Sequence, residues 1–168
     1  MAARHRMEAT KAAILSLLRD SYIHRDSVGL IAFRKESAEV LLPFTRSVER
    51  AERLLATLPT GGKTPLAQGL RTAYTMCDRL LRKHSAERIQ IICITDGRAT
   101  SGDSEEPVAE AKQWARILGT LPVDCIVIDT ETGFIKLGLA KKLCQLMNGS
   151  YYAMDTISAE RILRVSRR

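Results

Sequence analysis

At 168 residues and 45% hydrophobic, the chain has the length of one ordinary domain and enough apolar material for a substantial core. No apolar run approaches a membrane span and no secretory signal precedes the amphipathic pattern, so the sequence reads as cytoplasmic and without a membrane partner. The net charge of +7 comes from basic residues such as Arg79, Arg82, Lys83, Lys141, Lys142, Arg161 and Arg164, set on polar faces or ends of predicted helices without an aromatic platform; this fits solvated faces or an acidic protein partner and excludes nucleic acid.

Met7, Ala12, Ile14, Leu15, Leu17, Leu18 and Tyr22 recur at helical spacing and predict a first helix from about Arg6 to Ile23. Val28 to Phe33 is an apolar run of strand length. The link from Arg34 to Ser37 is too short for a crossover helix, so this run and the next, Ala38 to Leu42, form an antiparallel hairpin that Pro43 stops as at a sheet edge. A second helix is expected over about Ser47 to Thr57, then a loop from Pro59 to Lys63. The third helix should start at Thr64, with Leu66, Leu70, Ala73, Cys77, Leu80 and Leu81 on one face.

Ile89 to Ile94 reads as a strand buried on both sides, ended by Asp96-Gly97. A loop with Gly102 and Pro107 leads into a helix through Trp114 to Leu118, and Val123 to Ile128 completes a right-handed strand–helix–strand unit. A helix near Lys136 to Met147, a short strand from Ser150 to Ala153 and a terminal helix from Ser158 complete the order. The cysteines, Cys77, Cys93, Cys125 and Cys144, are widely spaced, and two lie in apolar strand runs. That fits free thiols in a reducing compartment better than a disulfide scaffold or a zinc site. The whole pattern predicts an α/β fold in a single domain over 1–168: an open, doubly wound, mostly parallel sheet with one antiparallel edge strand and helices on both faces.

Such sheets bind ligands at the carboxyl ends of their strands. Two oxygen-bearing residues belong there: Thr64, in Gly61-Gly62-Lys63-Thr64-Pro65-Leu66, and Asp96, in Ile94-Thr95-Asp96-Gly97. A hydroxyl and a carboxylate suit a hard divalent cation such as Mg²⁺, which takes oxygen ligands and keeps several waters. Each residue also has a purely structural explanation. Thr64 before Pro65 makes a helix N-cap, and Asp96-Gly97 makes a turn after a strand. No catalytic residue is predicted. His5, His24 and His84 have no acid or cysteine partner in sequence, no Gly-x-Ser-x-Gly elbow occurs, and Gly61-Gly62-Lys63-Thr64 lacks the spacing of a phosphate loop. Asp103, Glu105 and Glu106 read as charges favoured at a helix N-terminus, on the same sheet end as Asp96.

Three stretches carry a resemblance: Leu58-Pro59-Thr60-Gly61-Gly62-Lys63-Thr64-Pro65-Leu66, Ile94-Thr95-Asp96-Gly97-Arg98-Ala99, and Asp129-Thr130-Glu131-Thr132-Gly133 with Leu137-Gly138-Leu139-Ala140. With these the chain resembles a von Willebrand factor A domain, and within that superfamily the C-terminal domain of the D subunit of magnesium chelatase and related cobalt chelatases. The third stretch is the most diagnostic, because most von Willebrand A domains lack it. The resemblance implies a metal-dependent adhesion site built from an Asp-x-Ser-x-Ser segment, a threonine before a helix and an aspartate after a strand; the last two map onto Thr64 and Asp96. No Asp-x-Ser-x-Ser occurs in the chain, and Met1 to Met7 resembles the stretch just after that segment in the family. The expectation is therefore an N-terminally truncated domain lacking a central strand between those at Val28 and Ile89. Such a chain should be poorly stable or completed in trans, and bind Mg²⁺ weakly or only with a partner.

The resemblance implies a function as well. In such chelatases a ring of AAA+ subunits hydrolyses ATP to insert Mg²⁺ or Co²⁺ into a tetrapyrrole, on a chlorophyll or a cobalamin route. The A domain does no chemistry; it docks a partner carboxylate onto a bound divalent ion, coupling the AAA+ subunit to the tetrapyrrole-binding subunit. The alternative is a stand-alone or degenerate von Willebrand A scaffold without metal binding.

Overall fold

The computed structural model describes residues 2–58, 62–132, 135–154 and 159–165. Its elements run α1 (Ala2–His24), β1 (Val28–Arg34), β2 (Ser37–Thr45), α2 (Val48–Ala56), α3 (Leu66–Lys83), β3 (Gln90–Thr95), α4 (Pro107–Leu118), β4 (Asp124–Asp129), α5 (Leu139–Leu146), β5 (Ser150–Ala153) and α6 (Ala159–Val165). Every element expected from the periodicity is present, in the expected order. The expected start of the terminal helix, Ser158, lies outside the described residues.

The chain divides into two compact units, one of residues 1–32, 40–61 and 157–168, the other of residues 33–39 and 62–156. In the first, α1 packs on α2 and α6. Leu18, Leu42, Val48 and Ala51 are buried there, with Ile14, Val28, Leu30 and Leu54 packed around them. Lys11 Nζ donates to the Leu58 carbonyl (3.2 Å), fastening α1 to the chain leaving α2. β1 and β2 pair as a two-stranded antiparallel ladder, joined by a tight turn in which Lys35 takes a positive φ of 58°.

The second unit is a parallel sheet of order β3-β4-β5. Its register sets Thr95 opposite Asp129 and Asp129 opposite Ala153, so the carboxyl ends of the three strands finish level. Leu66, Ala67 and Leu70 of α3, Ala111, Ala115 and Leu118 of α4, and Leu139, Ala140, Leu143 and Cys144 of α5 form one buried cluster with Cys125 and Val127 of β4. These are the faces that the 3.6-residue period assigns inward.

The α/β architecture is the expected one, with a parallel sheet, an antiparallel β1–β2 ladder and helices. One expectation is corrected: β3, expected to be buried on both sides, is only half-buried at Ile91, Ile92 and Ile94, whereas Cys125 to Ile128 of β4 are buried throughout. The reason is position: β4 has a strand on each side, and β3 pairs only with β4 among the described strands.

Candidate functional site

α3 begins at Leu66, two residues later than the sequence suggested, because Pro65 is itself the N-cap residue and makes no side-chain cap bond. The N-cap role proposed for Thr64 is thereby removed. Thr64 instead sits in the approach loop, where only its backbone is engaged. Its N–H donates to Thr100 Oγ1 (2.8 Å), and its carbonyl accepts from the Thr100 N–H (3.1 Å). Among the described residues the Thr64 hydroxyl makes no hydrogen bond.

Asp96 follows the last residue of β3, half-buried at the carboxyl end of the sheet. One carboxylate oxygen accepts from the Arg98 N–H (3.1 Å), closing a local turn, and the other lies 3.9 Å from the exposed Arg98 Nε. The preceding Thr95 is buried and its hydroxyl accepts from the Gly97 N–H (3.1 Å). Gly97 has φ +70°, and a Cβ there would meet the Ala140 backbone nitrogen at 2.9 Å. This loop therefore needs glycine both for its backbone conformation and for its close approach to α5.

The Thr100 exchange joins the loop carrying Thr64 to the loop carrying Asp96, so two segments far apart in sequence are cross-linked at one end of the parallel sheet. Thr100 was not singled out in the sequence, where nothing separates it from other loop hydroxyls. The arrangement offers a free hydroxyl and a carboxylate with unused lone pairs, a donor set that fits a hard cation in part. Among the described residues no group of three or more His, Cys, Asp or Glu side chains could hold a metal ion.

Asp103 is not a helix N-terminal charge. Its carboxylate pairs with Arg71 (2.8 Å) and accepts from Gln68 (2.6 Å), both on α3, and Arg71 also stacks over Trp114 of α4 at 6.0 Å. Glu110, in the first turn of α4, folds back onto the preceding loop, where its carboxylate accepts from the N–H groups of Asp103 (3.0 Å) and Ser104 (3.3 Å). With Glu36, Lys63, Thr100 and Ser101, Asp103 lines an open polar cavity.

A second polar group, quoted in the sequence but given no role there, lies beyond β4. Asp129 and Glu131 are only 4% and 6% exposed. Asp129 accepts from the Glu131 N–H (2.8 Å) and from the Tyr151 hydroxyl (2.6 Å), and Glu131 accepts from the N–H of Leu137 (2.8 Å) and of Gly138 (3.4 Å). Two acids directly after an apolar strand run were the available signal. All four cysteines are free thiols, and desolvation by burial pushes Cys77 up to about 11 and Cys93 and Cys125 up to about 12.

Comparison with known proteins now decides the family. Residues 1–98 match the model of the von Willebrand factor type A domain. The chain belongs to the von Willebrand factor type A family. An uncharacterised protein of Methanocaldococcus jannaschii is 42% identical over 166 residues, covering 98% of this chain and 95% of that protein. The magnesium-chelatase 67 kDa subunit of Chlorobaculum tepidum is 38% identical over 176 residues, covering 98% of this chain but 28% of that subunit. This von Willebrand A chain thus spans nearly all of the first relative and about a quarter of the second. Among solved structures, the SpRpn10 VWA domain superposes with a TM-score of 0.67 at 14% identity, over 94% of this chain and 82% of that one, which bears on the fold alone. The chain is therefore homologous to a region of magnesium-chelatase subunits. No described helix is long and apolar enough to cross a membrane.

Proposed function

We propose that this von Willebrand A chain is a non-catalytic, metal-dependent interaction module of an ATP-driven magnesium or cobalt chelatase, working in the cytoplasm as a single domain over 1–168. Thr64 and Asp96 would hold a divalent ion such as Mg²⁺, distinct from the ion the complex inserts. The bound ion supplies Lewis acidity toward a partner carboxylate. The chain's own part is to orient the two oxygen ligands and to leave the remaining positions to water and partner, as Mg²⁺ allows. The partners would be the AAA+ and the tetrapyrrole-binding chelatase subunits.

The observation that carries this reading is the Thr64–Thr100 exchange, which keeps a hydroxyl with no hydrogen bond among the described residues on a loop fastened to that of Asp96. The homology to a magnesium-chelatase subunit supplies the biological setting. A second reading has its own support: Asp96 already accepts from Arg98 N–H and lies near its guanidinium, as a carboxylate that only closes a turn would. Titration calorimetry with Mg²⁺, alone and with the AAA+ subunit of a chelatase, separates the two. The first reading expects Mg²⁺-dependent association, reduced at least tenfold by Asp96→Ala and by Thr64→Ala while the melting temperature stays near wild type. An unchanged Mg²⁺ response in Asp96→Ala removes Asp96 from the site and leaves the metal-free scaffold.

A further inference from the structure

Asp129-Thr130-Glu131 and Leu137-Gly138-Leu139-Ala140, two pieces of sequence with no part in the proposed metal site, meet through one side chain. Glu131 lies just beyond the end of β4 and is buried. One of its carboxylate oxygens accepts from the Leu137 N–H (2.8 Å) and the other from the Gly138 N–H (3.4 Å). Its own N–H donates to the buried Asp129, which also accepts from the Tyr151 hydroxyl. A carboxylate is costly to bury, and this one directs both oxygens to the two residues that lead into α5. Gly138 is the N-cap residue of that helix and makes no side-chain cap bond, so the entry to the helix is held from outside, by Glu131.

The start of α5 lies in turn on the backbone beside Asp96. Ala140, fully buried in the first turn, has its nitrogen 2.9 Å and its Cβ 3.3 Å from where a Cβ on Gly97 would stand. Gly97 follows Asp96 directly, its N–H held by the Thr95 hydroxyl, and the next N–H, that of Arg98, donates to the Asp96 carboxylate. A continuous path therefore runs from the Glu131 carboxylate through Gly138 and Ala140 to Gly97 and Asp96. Contacts this close leave no slack to absorb a shift of the helix start. We propose that Glu131 is a positioning residue for Asp96, acting through the first turn of α5. Its effect on where the Asp96 carboxylate stands is independent of any metal; its effect on a bound divalent ion rests on the metal reading.

The rival role is purely structural: Glu131 holds its own loop or stabilises the whole unit. The two differ in which amides respond. The Arg98 N–H reports the Asp96 carboxylate directly, because it is bonded to it. The Gly149 N–H, bonded to the Cys144 carbonyl beyond the far end of α5, reports the fold around the helix without touching the path.

The test is amide hydrogen exchange, resolved by NMR on the full chain without metal, for wild type, Glu131→Gln and Gly138→Ala. Glutamine keeps the size of the side chain but turns one acceptor into a donor that faces a backbone N–H. Gly138→Ala strains the helix entry by another route: φ is +68° and nothing lies within 4 Å of the new Cβ, so neither Glu131 nor Asp96 is touched. Both variants should speed exchange of the Arg98 N–H at least fivefold and leave the Gly149 N–H within twofold of wild type. The proposal is overturned if the Arg98 N–H keeps its wild-type rate while those of Leu137 and Gly138 speed up, or if Arg98 and Gly149 speed up alike. Should Glu131→Gln fail to fold, Gly138→Ala decides by the same criterion. In a parallel Mg²⁺ titration of the folded variants, Glu131→Gln should weaken the response at least threefold, and adding Gly138→Ala to it should weaken it little further, because both act through one helix start. A wild-type Mg²⁺ response in Glu131→Gln, where Asp96→Ala has lost it, also overturns the proposal. No Mg²⁺ response in wild type would instead sink the metal reading, and the exchange rates would still decide whether Glu131 positions Asp96.

Discussion

Each cysteine carries a charge state set by where its backbone puts it. Burial desolvates the thiolate, so Cys77 is pushed up to about 11 and Cys93 and Cys125 to about 12, from an ordinary value of 9.0. The thiolate is the reactive species, so native protein at neutral pH should resist a thiol reagent such as Ellman's, and denatured protein should release a signal for all four cysteines. Rapid labelling of several thiols in the native state would place them outside the core. The linkage has a definite sign. The folded values lie above the unfolded one, so the unfolded chain binds fewer protons from about pH 9 upward, and stability is full below pH 9 and falls as pH rises toward 11–12. Melting temperatures measured between pH 7 and pH 11 check this; a flat profile across that range contradicts it. That Cys93 and Cys125 are free thiols packed in strands was legible in sequence, because a cysteine inside an apolar strand run has few other options. The roles of Thr64 and Thr100 were not. A Thr-Pro pair reads locally as a helix cap, and only the tertiary fold shows that the helix starts after Pro65 and that Thr64 is bonded to a residue 36 positions away.

At the scale of elements, hydrophobic period and turn residues sufficed for order and type, since each helix buries one apolar stripe and each strand run is bounded by turn residues. They did not suffice for partnership. Nothing in Ile89 to Ile94 distinguishes an edge position from an interior one, and the ladder puts β4, not β3, between two strands. The packing of the β3–α4 loop on α5 is likewise invisible in sequence, where Gly97 looks like any glycine after an aspartate. In the structure it combines φ +70° with an Ala140 nitrogen 2.9 Å from a would-be Cβ. Gly97→Ala should therefore cost about 1–3 kcal/mol, from the left-handed backbone penalty plus local overpacking. It should also disturb any Mg²⁺ response by moving the adjacent Asp96. Thermal melts and a Mg²⁺ titration check both; an Ala variant as stable as wild type would mean that α5 yields freely at its first turn.

The largest-scale question is what the sheet of the second unit does with its other edge. β3 bonds to β4 along Gln90–Thr95, and no described strand pairs with its opposite side, so a row of backbone donors and acceptors there has no ladder. The chain contains no Asp-x-Ser-x-Ser segment, whereas the resemblance to chelatase A domains implies one at the end of a strand upstream of α1. A fusion that adds such a strand ahead of residue 1 tests both points together. Each new ladder bond contributes about 1 kcal/mol net, offset by about 1–2 kcal/mol of backbone entropy for every residue ordered, so apolar burial must supply the surplus. The expected outcome is a melting temperature raised by roughly 5–10 °C and an Mg²⁺ affinity at least tenfold above that of the unextended chain. Replacing the added aspartate and serines with alanine should keep the gain in melting temperature and lose the gain in affinity, because the strand's backbone, not its oxygen ligands, forms the ladder. A fusion that neither melts higher nor binds Mg²⁺ more tightly would mean that the open edge of β3 needs no such strand and that Thr64 and Asp96 form no metal site with it.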